Sequence, residues 1–116
     1  YRAISYLNEK LPSSARVLFL WEPRSYYCRA ECLPDTILDR FMHLGYRYGD
    51  AEGITEHLRA QGISYVLFHK AGFEQILAAQ FDPIASADVE TLRTLQEEYW
   101  EPLESVSESY IVYRVR

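Results

Sequence analysis

One continuous apolar stretch, Val17–Trp21, constrains the fold of this chain more than any other feature. Its five apolar residues, β-branched and aromatic ones among them, follow one another without a polar break, which is typical of a strand buried on both faces. Pro23 lacks an amide donor and is therefore predicted to end the strand. Glu22 and Arg24 then lie at the carboxyl end of the strand, where open α/β sheets usually bind their ligands.

A second stretch, Ile63–Phe68, is predicted to be a buried strand of the same kind, and it ends in His69 and Lys70. An amphipathic helix over Ala51–Gln61 precedes it, and Gly62 lies where a left-handed helix cap is favoured. The order of strand, helix, glycine and strand favours a right-handed parallel crossover between the two buried strands.

The C-terminal segment indicates two further strands, Leu103–Val106 and Tyr110–Val115, separated by a Ser-Glu-Ser turn. This pattern predicts an antiparallel hairpin at the edge of the sheet. The sequence therefore predicts a three-layer α/β fold, Rossmann-like or flavodoxin-like, with a small mixed sheet, parallel central strands and a C-terminal β-hairpin. Helical periodicity predicts the longest helix over Ala87–Trp100, and two glycines are expected to bracket a loop at Tyr46–Tyr48.

Composition bounds the size of the protein and the class of its partners. With 116 residues, 48% of them hydrophobic and 25% charged, the chain is expected to form a single α/β domain over residues 1–116. A net charge of −5 argues against nucleic acid as a partner. No apolar stretch approaches the roughly 20 residues of a membrane span. The first residue is Tyr1 and not methionine, as expected of a piece excised from a longer protein.

Polar residues follow both buried strands. If the two strands are adjacent and parallel, these residues meet at one edge of the sheet, and we call this set the rim: Glu22, Arg24, Tyr26, His69 and Lys70. A carboxylate, a guanidinium, an imidazole and an ammonium can together bind an anionic or polyhydroxylated group, and a tyrosine adds an aromatic face. The alternative is a structural ion pair that holds the loops without a ligand, because charged groups at strand ends are often structural.

Catalytic, metal and cofactor motifs are absent from the sequence. The three histidines share no ligand spacing and Cys28 and Cys32 lack a second cysteine pair, so no metal site is predicted. Neither a nucleophile elbow nor a glycine-rich phosphate loop occurs, so no catalytic residue and no cofactor are predicted. The sequence leaves open whether Cys28 and Cys32 are bridged. An irregular segment in an oxidising compartment permits a disulfide, whereas a flat strand would hold their Cα atoms roughly 13 Å apart.

Two stretches of the sequence resemble a family of bacterial membrane proteins. The residues that carry the resemblance are Tyr6-Leu7-Asn8, Leu11-Pro12, Ala15–Phe19, Glu22-Pro23-Arg24, Tyr26-Tyr27, Ile54, Leu58 and Gly62–Leu67. They are similar to the soluble C-terminal extracytoplasmic domain of polytopic membrane glycosyltransferases of the mannosyltransferase-like group, which depend on lipid-linked sugars. Ser64 and Tyr65 stand where that group has threonine and histidine, and the resemblance weakens after Gln80.

The resemblance implies an accessory domain at the extracytoplasmic face of a bacterial membrane, attached to its own membrane-embedded portion. It also implies that the domain is not catalytic by itself, because the catalytic acidic residues of that group lie in the N-terminal part. The domain would then position an acceptor glycan or a lipid-linked sugar donor. Two alternatives stay open: a packing or interaction domain of such a membrane protein without a ligand, and a free-standing soluble α/β enzyme.

Overall fold

A five-stranded sheet organises the computed structural model, which describes residues 2–12, 14–22, 28, 30–33, 40–79, 86–106 and 109–115. In chain order the strands are β1 (Arg16–Leu20), β2 (Glu31–Leu33), β3 (Tyr65–His69), β4 (Trp100–Ser105) and β5 (Tyr110–Val115). Their order across the sheet is β2-β1-β3-β5-β4. β1 pairs in parallel with β2 and β3, whereas β5 is antiparallel to β3 and β4. The predicted mixed sheet with parallel central strands and a C-terminal hairpin at its edge is confirmed.

Helices cover both faces of this sheet. They are α1 (Arg2–Lys10), α2 (Arg40–Tyr48), α3 (Ala51–Ala60), α4 (Lys70–Ala79) and α5 (Ser86–Thr94), and a π-helical turn over Leu95–Tyr99 follows α5 directly. α1 packs on one face, and α2, α3 and α5 pack on the other, which gives the predicted three layers. Within the described ranges, no helix combines the length and the apolar character that crossing a membrane requires.

The first buried strand has the environment that its composition predicts. Every residue from Val17 to Trp21 is at most 2% exposed. Alternate residues of β1 face opposite layers, since Leu18 and Leu20 join the cluster under α2, α3 and α5, whereas Val17 and Phe19 join the cluster under α1. Burial of both faces explains why this strand carries no polar residue after Arg16.

Local signals in the sequence set the boundaries of α3. Asp50 caps its first turn, because its Oδ1 accepts a hydrogen bond from the Gly53 amide at 2.8 Å. Gly62 follows the helix with a φ of 73°, the left-handed conformation that glycine adopts without steric cost. The helix therefore begins and ends close to the predicted residues.

Two other helix predictions are wrong at their ends. α2 continues to Tyr48, so Tyr46–Tyr48 is helical and not a loop. The helix predicted over Ala87–Trp100 is α-helical only to Thr94, and Trp100 begins β4 opposite Val115. Sheet pairing and the nearly complete burial of the Trp100 indole decide this boundary, and neither is visible in a helical spacing.

Cys28 and Cys32 form a disulfide, with their Cα atoms 6.4 Å apart. Cys32 belongs to β2, whereas Cys28 lies outside regular secondary structure, so the two residues do not share one flat strand. Both cysteines pack against the apolar cluster under α1. The bridge therefore links the edge strand β2 to the segment that precedes it.

Candidate functional site

Glu22 and His69 meet at one edge of the sheet because β1 and β3 are parallel neighbours. Leu20 at the end of β1 pairs with Phe68, so Glu22, which follows β1, and His69, the last residue of β3, lie at the same edge. The Oε1 atom of Glu22 lies 3.9 Å from Nδ1 of His69. These two groups form an ion pair when the imidazole is protonated.

Glu22 is buried inside this edge. Its residue exposure is 0%, and its carboxylate accepts a hydrogen bond from the hydroxyl of Tyr110. Tyr110 begins β5 directly opposite His69 in the antiparallel pairing of β3 and β5. Because a buried carboxylate is costly unless it is hydrogen-bonded, the Tyr110 hydroxyl is part of what allows Glu22 to lie here.

His69 is held on two sides. Its ring stacks on Tyr110, with centroids 4.5 Å apart and planes inclined by 7°. Its Nδ1 lies 3.0 Å from the carbonyl oxygen of Trp21, which accepts a hydrogen bond from the ring. Since a carbonyl cannot donate, the neutral ring carries its proton on Nδ1 and keeps Nε2 as an acceptor. The imidazole is therefore oriented by its partners, with 21% of its side chain exposed.

Trp21 turns the chain between β1 and Glu22. It has a φ of 58°, an uncommon conformation for a residue with a side chain. Its indole contacts Phe41, Phe68 and Phe73, with ring centroids 5.7, 5.8 and 4.7 Å away. Leu20 and Trp21 therefore point into the same apolar cluster, which breaks the strand alternation. This turn is what brings the Trp21 carbonyl to His69.

Gly72 in the first turn of α4 fits closely against the same atoms. A Cβ at this position would lie 2.7 Å from Nδ1 of His69 and 2.8 Å from the carbonyl oxygen of Trp21. Both distances are shorter than van der Waals contact permits. Only glycine lets α4 begin immediately after β3 without displacing the His69–Trp21 hydrogen bond.

The other rim residues are in different situations. Lys70 is exposed, and its backbone amide donates to the carbonyl oxygen of Ser109 at 2.7 Å, which ties the start of α4 to the beginning of β5. Arg24 and Tyr26 lie outside the described residues. Of the rim, the structure thus describes a buried carboxylate, a partly exposed imidazole and an exposed ammonium.

Tyr110 is the member of this arrangement that the sequence analysis did not identify as a site residue. The sequence indicated only that it begins a strand after a Ser-Glu-Ser turn. Its role depends on the register between β5 and β3, two strands that are separated by α4 and α5 in the chain. No local sequence pattern predicts the register between these two strands.

The residues at this edge differ in whether a ligand can reach them. The Glu22 carboxylate is occupied by Tyr110 and is closed to solvent, so a sugar hydroxyl has no access to it in this conformation. His69 and Lys70 present the accessible groups, an imidazole and a cation. These two side chains can contact an anionic or hydroxylated ligand at the edge of the sheet.

Comparisons with known proteins find a likeness among solved structures. No protein-family model and no curated protein sequence matches this chain. Among solved structures, the chain is similar to the crystal structure of the C-terminal globular domain of oligosaccharyltransferase from Archaeoglobus fulgidus. The TM-score is 0.61 at 12% sequence identity, and the match covers 98% of this chain and 94% of that chain. The likeness therefore extends over the whole α/β fold of a domain that occurs at the C-terminus of an oligosaccharyltransferase.

Proposed function

We propose that this chain is an accessory domain of a membrane glycosyltransferase-like protein and is not catalytic by itself. The observation that carries the proposal is the match of nearly the entire chain to the C-terminal globular domain of an oligosaccharyltransferase. The resemblance of the sequence to C-terminal domains of lipid-linked-sugar-dependent glycosyltransferases supports the same kind of parent protein. Its main partner in this proposal is its own membrane-embedded portion.

The disulfide supports a location on the extracytoplasmic side of a bacterial membrane. Disulfides form and persist in oxidising compartments and are rare where thiols are kept reduced. Cys28 and Cys32 are bridged in the folded chain. A domain that folds outside the cytoplasm would have this bond available, and the bond would hold the edge strand β2.

At the rim, the proposed task is to position an acceptor glycan or a lipid-linked sugar donor. Lys70 and His69 supply the accessible groups, and Glu22 acts behind them through Tyr110 and His69. Arg24 and Tyr26 belong to the same hypothesis, with a guanidinium for a phosphate and an aromatic ring for a sugar face.

A second candidate is a packing domain of the same kind of parent without a ligand. The burial of Glu22 favours the packing domain. Its carboxylate is fully enclosed and accepts a hydrogen bond from the chain itself, so it stabilises the edge of the sheet and is not accessible to a ligand. In this version the rim contacts the membrane-embedded portion directly.

The coding sequence upstream of Tyr1 tests the proposed parent protein. We expect several hydrophobic helices there, and a start codon immediately before Tyr1 would contradict the proposal. Binding of short lipid-phosphate sugars to the purified chain, compared between the unaltered protein and Lys70→Ala, then separates the two versions. Weaker binding by the variant supports positioning of a ligand, and no binding by either protein supports the packing domain.

The purified chain is expected to transfer no sugar from nucleotide or lipid-phosphate donors. The sequence contains no nucleophile elbow, phosphate loop or metal-ligand spacing that would carry the reaction. Robust turnover that disappears on substitution of a single rim residue would show that the domain is an enzyme.

A further inference from the structure

A groove opens beside the rim, on the sheet face that lies away from α1. It has a volume of about 300 Å³ and runs between α4 and α5 over β5. This volume is at the lower end of the range of about 300–1,000 Å³ that small-molecule sites have. The groove therefore has the size of a small-molecule site and is partly open to solvent.

The floor of the groove is apolar and firmly packed. Phe68 and Leu92 are at most 4% exposed, and Phe73 and Ile111 are half-buried beside them. The rings of Phe68 and Phe73 lie 5.7 Å apart, and Phe73 also contacts Trp21. Such a floor offers an aliphatic chain a surface that does not need to rearrange before binding.

One wall of the groove carries two neighbouring polar side chains. Gln96, which the π-helical turn after α5 presents, hydrogen-bonds the hydroxyl of Tyr113. Burial is the main cause that raises the pKa of Tyr113, so this side chain is a neutral phenol at physiological pH. These two polar groups contact each other, so the charged side chains are the groups that we expect to determine which ligand the groove prefers.

Two cationic side chains lie at the mouth of the groove. Lys70 of α4 and Arg93 of α5 line it from opposite sides, and Glu74 is the carboxylate that lines it among the described residues. The charged residues of the lining sum to +1, and Glu90, which pairs with Arg93 from beside the lining, offsets this charge. Arg93 pairs with Glu90, whereas Lys70 forms no ion pair within the described ranges. Among the described residues, no carboxylate pairs with the Lys70 ammonium, so Lys70 is the cation on which we base the preference for an anionic head.

We propose that this groove binds a small amphipathic anion. An aliphatic body lies on the apolar floor, and a phosphate or carboxylate head contacts Lys70 and Arg93. The proposal goes beyond the function given above and does not depend on a membrane-embedded parent, because the groove is formed entirely by this chain.

Calorimetric titration of the full chain with decyl phosphate, below its micelle concentration, tests the proposal. We expect saturable binding with one site, together with a change in Trp21 emission, because Trp21 contacts the Phe73 ring of the floor. Decanoate is expected to bind the same site, which would show that either anionic head is accepted. Decyl maltoside and inorganic phosphate are each expected to bind at least tenfold more weakly, since each lacks one half of the ligand.

Substitutions then assign the binding to the groove. Lys70→Glu and Arg93→Gln are each expected to weaken decyl phosphate binding at least fivefold, and Ile111→Thr is expected to weaken it severalfold by reducing the apolar floor. Lys10→Glu, a matched exposed lysine at the end of α1, should bind as the unaltered chain does. Arg93 lies outside the rim, so its effect distinguishes the groove from the rim. Melting temperatures close to that of the unaltered chain would show that the variants are folded.

Three results would overturn the proposal. They are the absence of saturable binding by decyl phosphate, equal binding of decyl maltoside, and unchanged binding by Arg93→Gln. Each would show that the groove does not recognise an anionic head on an aliphatic body. None would bear on whether the chain belongs to a glycosyltransferase-like parent, which the upstream coding sequence tests separately.

Discussion

The two central strands lie side by side and carry polar residues beyond the same edge, yet their ends differ in exposure. Glu22 after β1 is fully buried, and its carboxylate accepts a hydrogen bond from Tyr110. At the end of β3, His69 is partly exposed, and Lys70, the next residue, is exposed. The residues at the end of β1 are therefore packed inside the edge of the sheet, whereas those at the end of β3 lie at the surface of the protein. Equivalent topological positions thus do not imply equivalent chemical roles.

The largest effect should come from Glu22→Ala. The substitution removes the carboxylate that accepts from the Tyr110 hydroxyl and creates a cavity in a closed site, so we expect a loss of about 3 kcal/mol in the free energy of unfolding. Urea denaturation measures this loss. Glu56→Ala, an exposed carboxylate on α3, is the matched control and should change stability by no more than about 0.5 kcal/mol. Equal effects of the two substitutions would mean that Glu22 does not take part in the packing.

Gly72→Ala should have the next largest effect, and its sign is informative. In an ordinary exposed helix this change stabilises by up to about 1 kcal/mol. Here the added Cβ would overlap Nδ1 of His69 and the Trp21 carbonyl, so we expect a net loss of about 2 kcal/mol. Gly49→Ala serves for comparison, because Gly49 has a φ of 82° but nothing within 4 Å of an added Cβ. A gain in stability from Gly72→Ala would show that the two strand ends are not tightly joined.

Tyr110→Phe keeps the ring that stacks on His69 but removes the hydroxyl that Glu22 accepts from. We expect a loss of about 1.5 kcal/mol, the usual range for a hydrogen bond to a charged group. Tyr46→Phe is the control, because Tyr46 is 94% exposed. A double-mutant cycle with Glu22→Ala should give strongly non-additive losses. Additive losses would indicate that the two side chains stabilise the edge independently.

Lys70→Ala should have the smallest effect on folding, within about 0.5 kcal/mol, because its side chain is exposed and its structural contact is made by the backbone. Thermal unfolding monitored by circular dichroism tests this expectation. A loss of stability as large as that of Tyr110→Phe would place the end of β3 in the packing as well, and the contrast between the two strand ends would disappear.

The candidate site could be predicted only in part. Glu22 and His69 could be assigned to one edge because the order of strand, helix and strand favours a parallel crossover, and the structure has that pairing. That Glu22 is enclosed could not be predicted, since burial depends on Tyr110 arriving from β5. The groove could not be predicted from the sequence either. It is lined by residues of α4, α5 and β5, which are distant in the chain and form a single surface only after folding.

The sequence by itself determined the elements whose signal is local. The apolar run at Val17–Trp21 was enough to predict a strand buried on both faces, and Asp50 and Gly62 were enough to delimit α3. Only the tertiary structure decided where Trp21 points and what Glu22 contacts. A positive φ at one residue and the register of a distant strand determine these contacts, and both depend on packing between segments far apart in the sequence.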